Sequence, residues 1–208
     1  MIADNFSIIK DLLNFDDKDI FYFCQIIKRR KENPGMPKDS RIIKSYYIRS
    51  VKEFSDFENE MKILSKDFNA RIYIDLNKRS FKRIAFELAK NIPSLLEDGR
   101  YEKAIDLYNS MCKKYPAKKN RQSEFYIVDV DFECGEDYLK EMTNFINYSL
   151  KPSDNIDKVK VITKTVNGYH LLCSRFDKSS FLSKYTDRNK VELHKDRFTL
   201  LYYSDENK

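Results

Sequence analysis

The 208-residue chain has no run of about 18 consecutive apolar residues, so no membrane-spanning helix is indicated. Its N-terminus also lacks a basic segment followed by an apolar stretch, so no secretion signal is indicated either. Both absences lead us to expect a cytoplasmic protein with no membrane partner, or one in the host cytoplasm if the source is viral. No Cys-x-x-Cys pair occurs. Cys24, Cys112, Cys134 and Cys173 are scattered among apolar residues, which suits reduced buried thiols and argues against a zinc module. Repeats and low-complexity segments are also missing.

A hydrophobic content of 41% in a chain of this length supports one substantial core, with at most a small appendage. The net charge of +6 is mild, and it favours nucleotide or nucleic-acid partners without singling them out.

Along the chain, Ile20, Phe23, Cys24 and Ile27 fall at helical spacing within Asp16–Lys31, and Asn33-Pro-Gly-Met-Pro37 follows as a connection. This pattern predicts an N-terminal helical extension over residues 1–40 and a single domain over 41–208. Within that domain Ile42–Ile48 reads as a strand, and Ser50-Val-Lys-Glu53 reads as a capping box opening a helix. Ala70–Leu76 is a further strand, Ser80 caps the next helix, and Tyr101–Tyr115 forms another. A basic loop follows, and then a strand over Glu124–Phe132. A helix begins at Gly135-Glu-Asp137, and the strands Val159–Thr165 and Tyr169–Ser174 are joined through Asn167-Gly168, a strong hairpin signal. After a short helix around Phe181, the chain closes with a hairpin of Val191–His194 and Phe198–Tyr203. The order implies an α/β (α+β) protein with a mixed sheet.

The Glu124–Phe132 segment carries two carboxylates, Asp129 and Asp131, one residue apart. On a strand both leave the same face, with Val128, Val130 and Phe132 packed behind them. Two adjacent like charges call for a cation, and carboxylate oxygens suit Mg²⁺ or Mn²⁺. His170 alternates with Tyr169 and Leu171, so its imidazole leaves the strand on the opposite side from theirs and is available to a triphosphate oxygen or a sugar. Lys164, Arg175 and Lys195 stand near these elements in sequence as candidate triphosphate contacts. Lys78 and Arg79, at a strand end before a helix N-terminus, are candidate template-phosphate contacts, and so are Lys118 and Lys119 in the basic loop.

Val128-Asp-Val-Asp131, Gly168-Tyr-His170 and Val191-Glu-Leu193 occur in the order of the three motifs of the archaeo-eukaryotic primases and primase-polymerases, and from about Ile42 onward the chain resembles that superfamily. The resemblance implies an RRM-like catalytic sheet beside a packed N-terminal β-α-β unit. It also implies metal ligation by Asp129, Asp131 and Glu192, with His170 contacting the incoming nucleotide. The activity implied is that of a DNA-directed primase-polymerase, a nucleotidyltransferase that extends or synthesises primers on single-stranded or primed nucleic acid. A helicase or another replisome protein is the implied partner, and the compact format is similar to that of bacteriophage proteins. The chain departs from the family in several ways. Glu192 stands where aspartate is usual, and Asp196 is a rival ligand. Val166 and Asn167 replace the basic residues that some members carry. No zinc appendage or downstream helical module is present, so extension of a primer is expected over unaided initiation. Two other classes fit the same residues: a metal-dependent nuclease, and a degenerate nucleic-acid-binding accessory protein.

Overall fold

In the computed structural model residues 2–115, 117, 125–185, 190–195 and 198–204 are described. The elements run β1 (Ile2–Asp4), α1 (Phe6–Lys10), β2 (Ile20–Arg29), β3 (Ser40–Ile48), α2 (Val51–Asp67), β4 (Arg71–Ser80), α3 (Phe81–Glu97) and α4 (Tyr101–Lys114). They continue with β5 (Tyr126–Val130), α5 (Glu136–Asn144) extended by a π-helical turn (Phe145–Ser149), β6 (Val159–Lys164), β7 (Tyr169–Cys173), α6 (Lys178–Tyr185), β8 (Val191–Lys195) and β9 (Thr199–Ser204). The fold is α+β, and among the described residues no helix is long and apolar enough to cross a membrane.

The strands form two sheets, and both are antiparallel where a mixed sheet was expected. One has five strands in the order β1-β9-β4-β2-β3, and the other has four in the order β6-β7-β5-β8. The predicted N-terminal helix over 16–31 is instead strand β2, hydrogen-bonded between β3 and β4. The helical spacing of Ile20, Phe23, Cys24 and Ile27 was incidental. Phe21, Tyr22 and Ile26 are apolar as well, and all seven except Ile27 are buried. A continuous apolar run rich in aromatic and β-branched residues is the pattern of a strand covered on both faces. Residues 1–40 are therefore not a helical extension, and β2 separates the two strands of the predicted β-α-β unit.

One face of the five-stranded sheet packs Tyr22, Cys24, Ile26, Ile72 and Ile74 against Phe6, Phe54 and Met61 of α1 and α2. The other face packs Phe21 and Phe23 against Ile84, Leu107 and Met111 of α3 and α4. The four-stranded sheet buries Val128, Val130, Leu171 and Cys173 under Leu139, Met142 and Phe181 of α5 and α6. Its opposite face meets the first sheet through Ile127 and Leu172. Buried Asn5 helps tie the sheets together: it donates through Nδ2 to the carbonyls of Lys164 (2.9 Å) and Leu200 (3.0 Å), bridging β6 and β9.

The predicted terminal hairpin is split, because β8 pairs with β5 in one sheet while β9 pairs with β4 and β1 in the other. Every residue of β9 is buried, whereas β8 has only exposed and half-buried positions.

Candidate active site

Asp129 lies on β5, between β7 and β8. It is the cross-strand neighbour of His170 on one side and Glu192 on the other. Strand alternation puts Ile127, Asp129, His170, Leu172, Glu192 and His194 on the face turned toward the five-stranded sheet. His170 Nε2 is 3.5 Å from Asp129 Oδ1, and His170 Nδ1 is 2.9 Å from Thr199 Oγ1 on β9, so a buried residue of the other sheet orients the ring. His194 Nε2 is 3.8 Å from Asp129 Oδ2 and 3.0 Å from Glu192 Oε2. The side chains of His170 and His194 are each 12% exposed and that of Asp129 is 30% exposed, whereas Glu192 is 66% exposed and stands at the rim.

Asp131 follows the end of β5. Its N–H donates to the Lys190 carbonyl at 2.8 Å, and its Oδ1 is 3.4 Å from Asn167 Nδ2 in the β6–β7 turn. Gly168 fixes that approach. A Cβ there would strike the Val130 carbonyl oxygen and lie 2.7 Å and 2.8 Å from the backbone O and N of Phe132. The glycine is needed for space, because its φ lies outside the left-handed region. The turn is closed by Thr165, whose N–H donates to the Gly168 carbonyl (2.8 Å) and whose Oγ1 accepts from the Gly168 N–H (3.0 Å).

A cavity of about 260 Å³ separates the sheets here. Asp129, Asp131, His170 and His194 line one side, and Arg29, Lys31, Arg71 and Tyr73 line the other. Arg29 Nη1 donates to Tyr73 Oη at 3.1 Å. Burial lowers the Arg29 pKa, but the Tyr73 contact and the charges of Glu32 and Asp131 outweigh it and leave the guanidinium above its ordinary value. Arg71 pairs with Glu32, both nearly buried, and stacks over Tyr203 at 5.3 Å. Acidic and imidazole groups thus face a guanidinium wall.

The sequence-based cations fall elsewhere. Lys164 aligns with Tyr169, opposite in alternation to His170, and its Nζ is 3.5 Å from Glu133. Lys195 aligns with Tyr126 and lies over that ring at 5.4 Å, on the other face from Asp129. Arg175 lies beyond the far end of β7, beside Lys151 and Asp177. Arg79 cannot meet a template phosphate, because it is 1% exposed and its guanidinium pairs with buried Asp75. The helix N-terminus beside it is already occupied. Asp19 accepts from the Lys82 N–H (2.8 Å) and from the Ser80 hydroxyl, while Ser80 Oγ accepts from the Arg83 N–H (3.0 Å). Lys78 pairs with Asp16 at 2.9 Å. Lys118, Lys119 and Asp196 lie outside the described residues.

Sequence reasoning missed His194, Arg29, Lys31, Arg71 and Tyr73. For His194 the signal was available: it follows Glu192 at a spacing of two on a strand, and it is one of only two histidines in the chain. Arg29 and Lys31 were hidden by the helical reading of β2. Among the described residues no three His, Cys, Asp or Glu side chains are grouped so as to hold a metal ion by themselves. The chain matches no protein-family model, no curated protein and no solved structure.

Proposed function

We propose that this cleft binds the triphosphate of a nucleoside triphosphate together with Mg²⁺ or Mn²⁺, and that the protein is a template-directed nucleotidyltransferase of the primase-polymerase kind. The observation that carries the reading is the cross-strand row His170–Asp129–Glu192 beside a cleft whose other wall carries Arg29 and Lys31. Carboxylates on one side and guanidinium groups on the other suit a polyanion that arrives with a cation. The cavity is smaller than a typical whole-ligand pocket of roughly 300–1,000 Å³, which suits the phosphate chain with the base and sugar outside.

The donor chemistry fits a divalent cation. Mg²⁺ usually takes one or two protein carboxylates and completes its shell with water and substrate phosphates, so a preassembled group of three ligands is not required. Asp129 and Asp131 are the residues that would hold it, with Glu192 at the rim. When bound, such ions neutralise charge on the transferring phosphoryl group and on the attacking and leaving oxygens. His170, held by Thr199 through Nδ1, keeps Nε2 beside Asp129, where it would contact a phosphate oxygen bound next to that carboxylate. Arg29 and Lys31 offset the charge of the pyrophosphate that leaves.

Primer extension on a primed DNA template with nucleoside triphosphates and Mn²⁺ or Mg²⁺ is the direct test. Extension is expected, and Asp129→Asn should reduce it by about a hundredfold or more, the usual scale for losing a principal electrostatic stabiliser. Shortening of the strand without triphosphates would replace this reading with a nuclease. Binding of DNA with neither reaction would replace it with an accessory role.

A further inference from the structure

Helix α3 carries an apolar face that the described residues leave uncovered. Ile84 is its only buried residue, with Leu88 and Leu95 partly buried on the same side against α4. Ala85, Ala89, Ile92 and Leu96 recur at spacings of four, three and four, which places them on one side of the helix, with Pro93 inside it between the last two. All four are exposed, Leu96 at 48%, and Phe86 flanks the line at 61%. Isolated exposed apolar residues are ordinary on a protein surface, but a continuous helical line of them marks an interaction face.

We infer that α3 is the contact helix of a two-fold symmetric dimer of this chain, packed antiparallel to the same helix of a second copy. The line is self-complementary in size, with small residues in the N-terminal half and bulky ones in the C-terminal half. Antiparallel packing sets Ala85 against the partner's Leu96 and Ala89 against the partner's Ile92. The helix is also self-complementary in charge. Exposed Lys82 stands in its first turn and exposed Glu97 at its last residue, so each lysine meets the partner's glutamate at both ends of the contact. Parallel packing would oppose like with like at every one of these positions, and it would also align the two helix dipoles. A two-fold axis makes each contact occur twice, as an isologous interface requires. The inference is independent of the reaction proposed for the cleft.

Charge reversal tests it, because Lys82 and Glu97 are about 22 Å apart along their own helix and cannot meet within one molecule. Sedimentation velocity of the full chain between about 1 and 200 µM should show a concentration-dependent dimer, a range matched to a small helix-pair interface. Lys82→Glu or Glu97→Lys should each weaken association about tenfold, since each turns two symmetry-related attractions into repulsions. The double reversal should restore it, and Ile92→Asp should abolish it. These positions are exposed, so circular dichroism and unfolding midpoints at low concentration should stay those of the parent chain. A parent chain that is monomeric throughout would overturn the inference, as would a double reversal no tighter than either single variant or an Ile92→Asp chain that still dimerises.

Discussion

Of the four glycines, Gly168 is the one with no room for a side chain. Its neighbours are backbone atoms of Val130 and Phe132 on either side of Asp131, so an added methyl group must displace the strand end that carries the acidic pair. Gly168→Ala should destabilise the fold by about 1–3 kcal/mol, the cost of overpacking against parts that cannot rotate away. Urea unfolding measures this, and a change within about 0.5 kcal/mol would mean that the turn moves freely. The buried pair of Asp75 and Arg79 makes a second prediction. Burial raises the Asp75 pKa above the ordinary aspartate value, and Arg79 with the Asn77 amides pulls it back. Arg79→Leu removes that opposition and should cost about 3–5 kcal/mol at neutral pH, the penalty for stranding a buried charge. An acid whose folded pKa is raised loses stability as pH rises through that pKa, so the defect should shrink as pH falls toward the unfolded aspartate range. If Arg79 served a template phosphate, the same variant would lose nucleic-acid affinity and keep its stability.

At the level of elements, the contrast between β2 and β5 explains what the sequence disclosed. β5 was legible because Asp129 interrupts an apolar, β-branched run, although the strand ends at Val130 and Asp131 lies just beyond it. β2 was not, because a strand buried on both faces has no alternation to read, and its apolar residues satisfy a helical template by chance. The same blindness hid Arg29 and Lys31, whose place in the cleft follows from β2 being extended. Local capping was easier to read. Ser50 Oγ does accept from the Glu53 N–H at 3.1 Å, although the Glu53 carboxylate reaches back to the Arg49 N–H at 2.9 Å rather than to that of Ser50. The pairing of β8 and β9 with different sheets could not be read locally, because it depends on which neighbour each strand finds. Hydrogen exchange checks the β2 assignment. Its amides between Phe21 and Ile26 should be among the slowest in the chain, since the strand is paired on both sides and buried. Rapid exchange there would restore the peripheral helix.

At the scale of the whole molecule, the cleft exists only because two sheets meet, and on the reading proposed above each sheet would supply half of a triphosphate site. The four-stranded sheet contributes Asp129, Asp131, His170 and His194, which without a cation would repel a polyphosphate. The other wall contributes Arg29 and Lys31, which would attract one without selecting its geometry, beside Arg71, whose charge Glu32 compensates. Asn5 and the His170–Thr199 contact hold the two contributions together. Arg29 is the most informative probe of this arrangement, because its partner Tyr73 belongs to its own sheet while the charge of Asp131 reaches it from the other. Arg29→Ala should weaken nucleoside triphosphate binding about tenfold, the usual scale for losing one charge-assisted phosphate contact. Because the lost contact is ionic, the difference from the parent chain should narrow as salt is raised. Calorimetric titration at two ionic strengths, with Mn²⁺ present throughout, measures both effects. Unchanged affinity at low salt would confine the binding chemistry to the four-stranded sheet and remove the five-stranded sheet from the site.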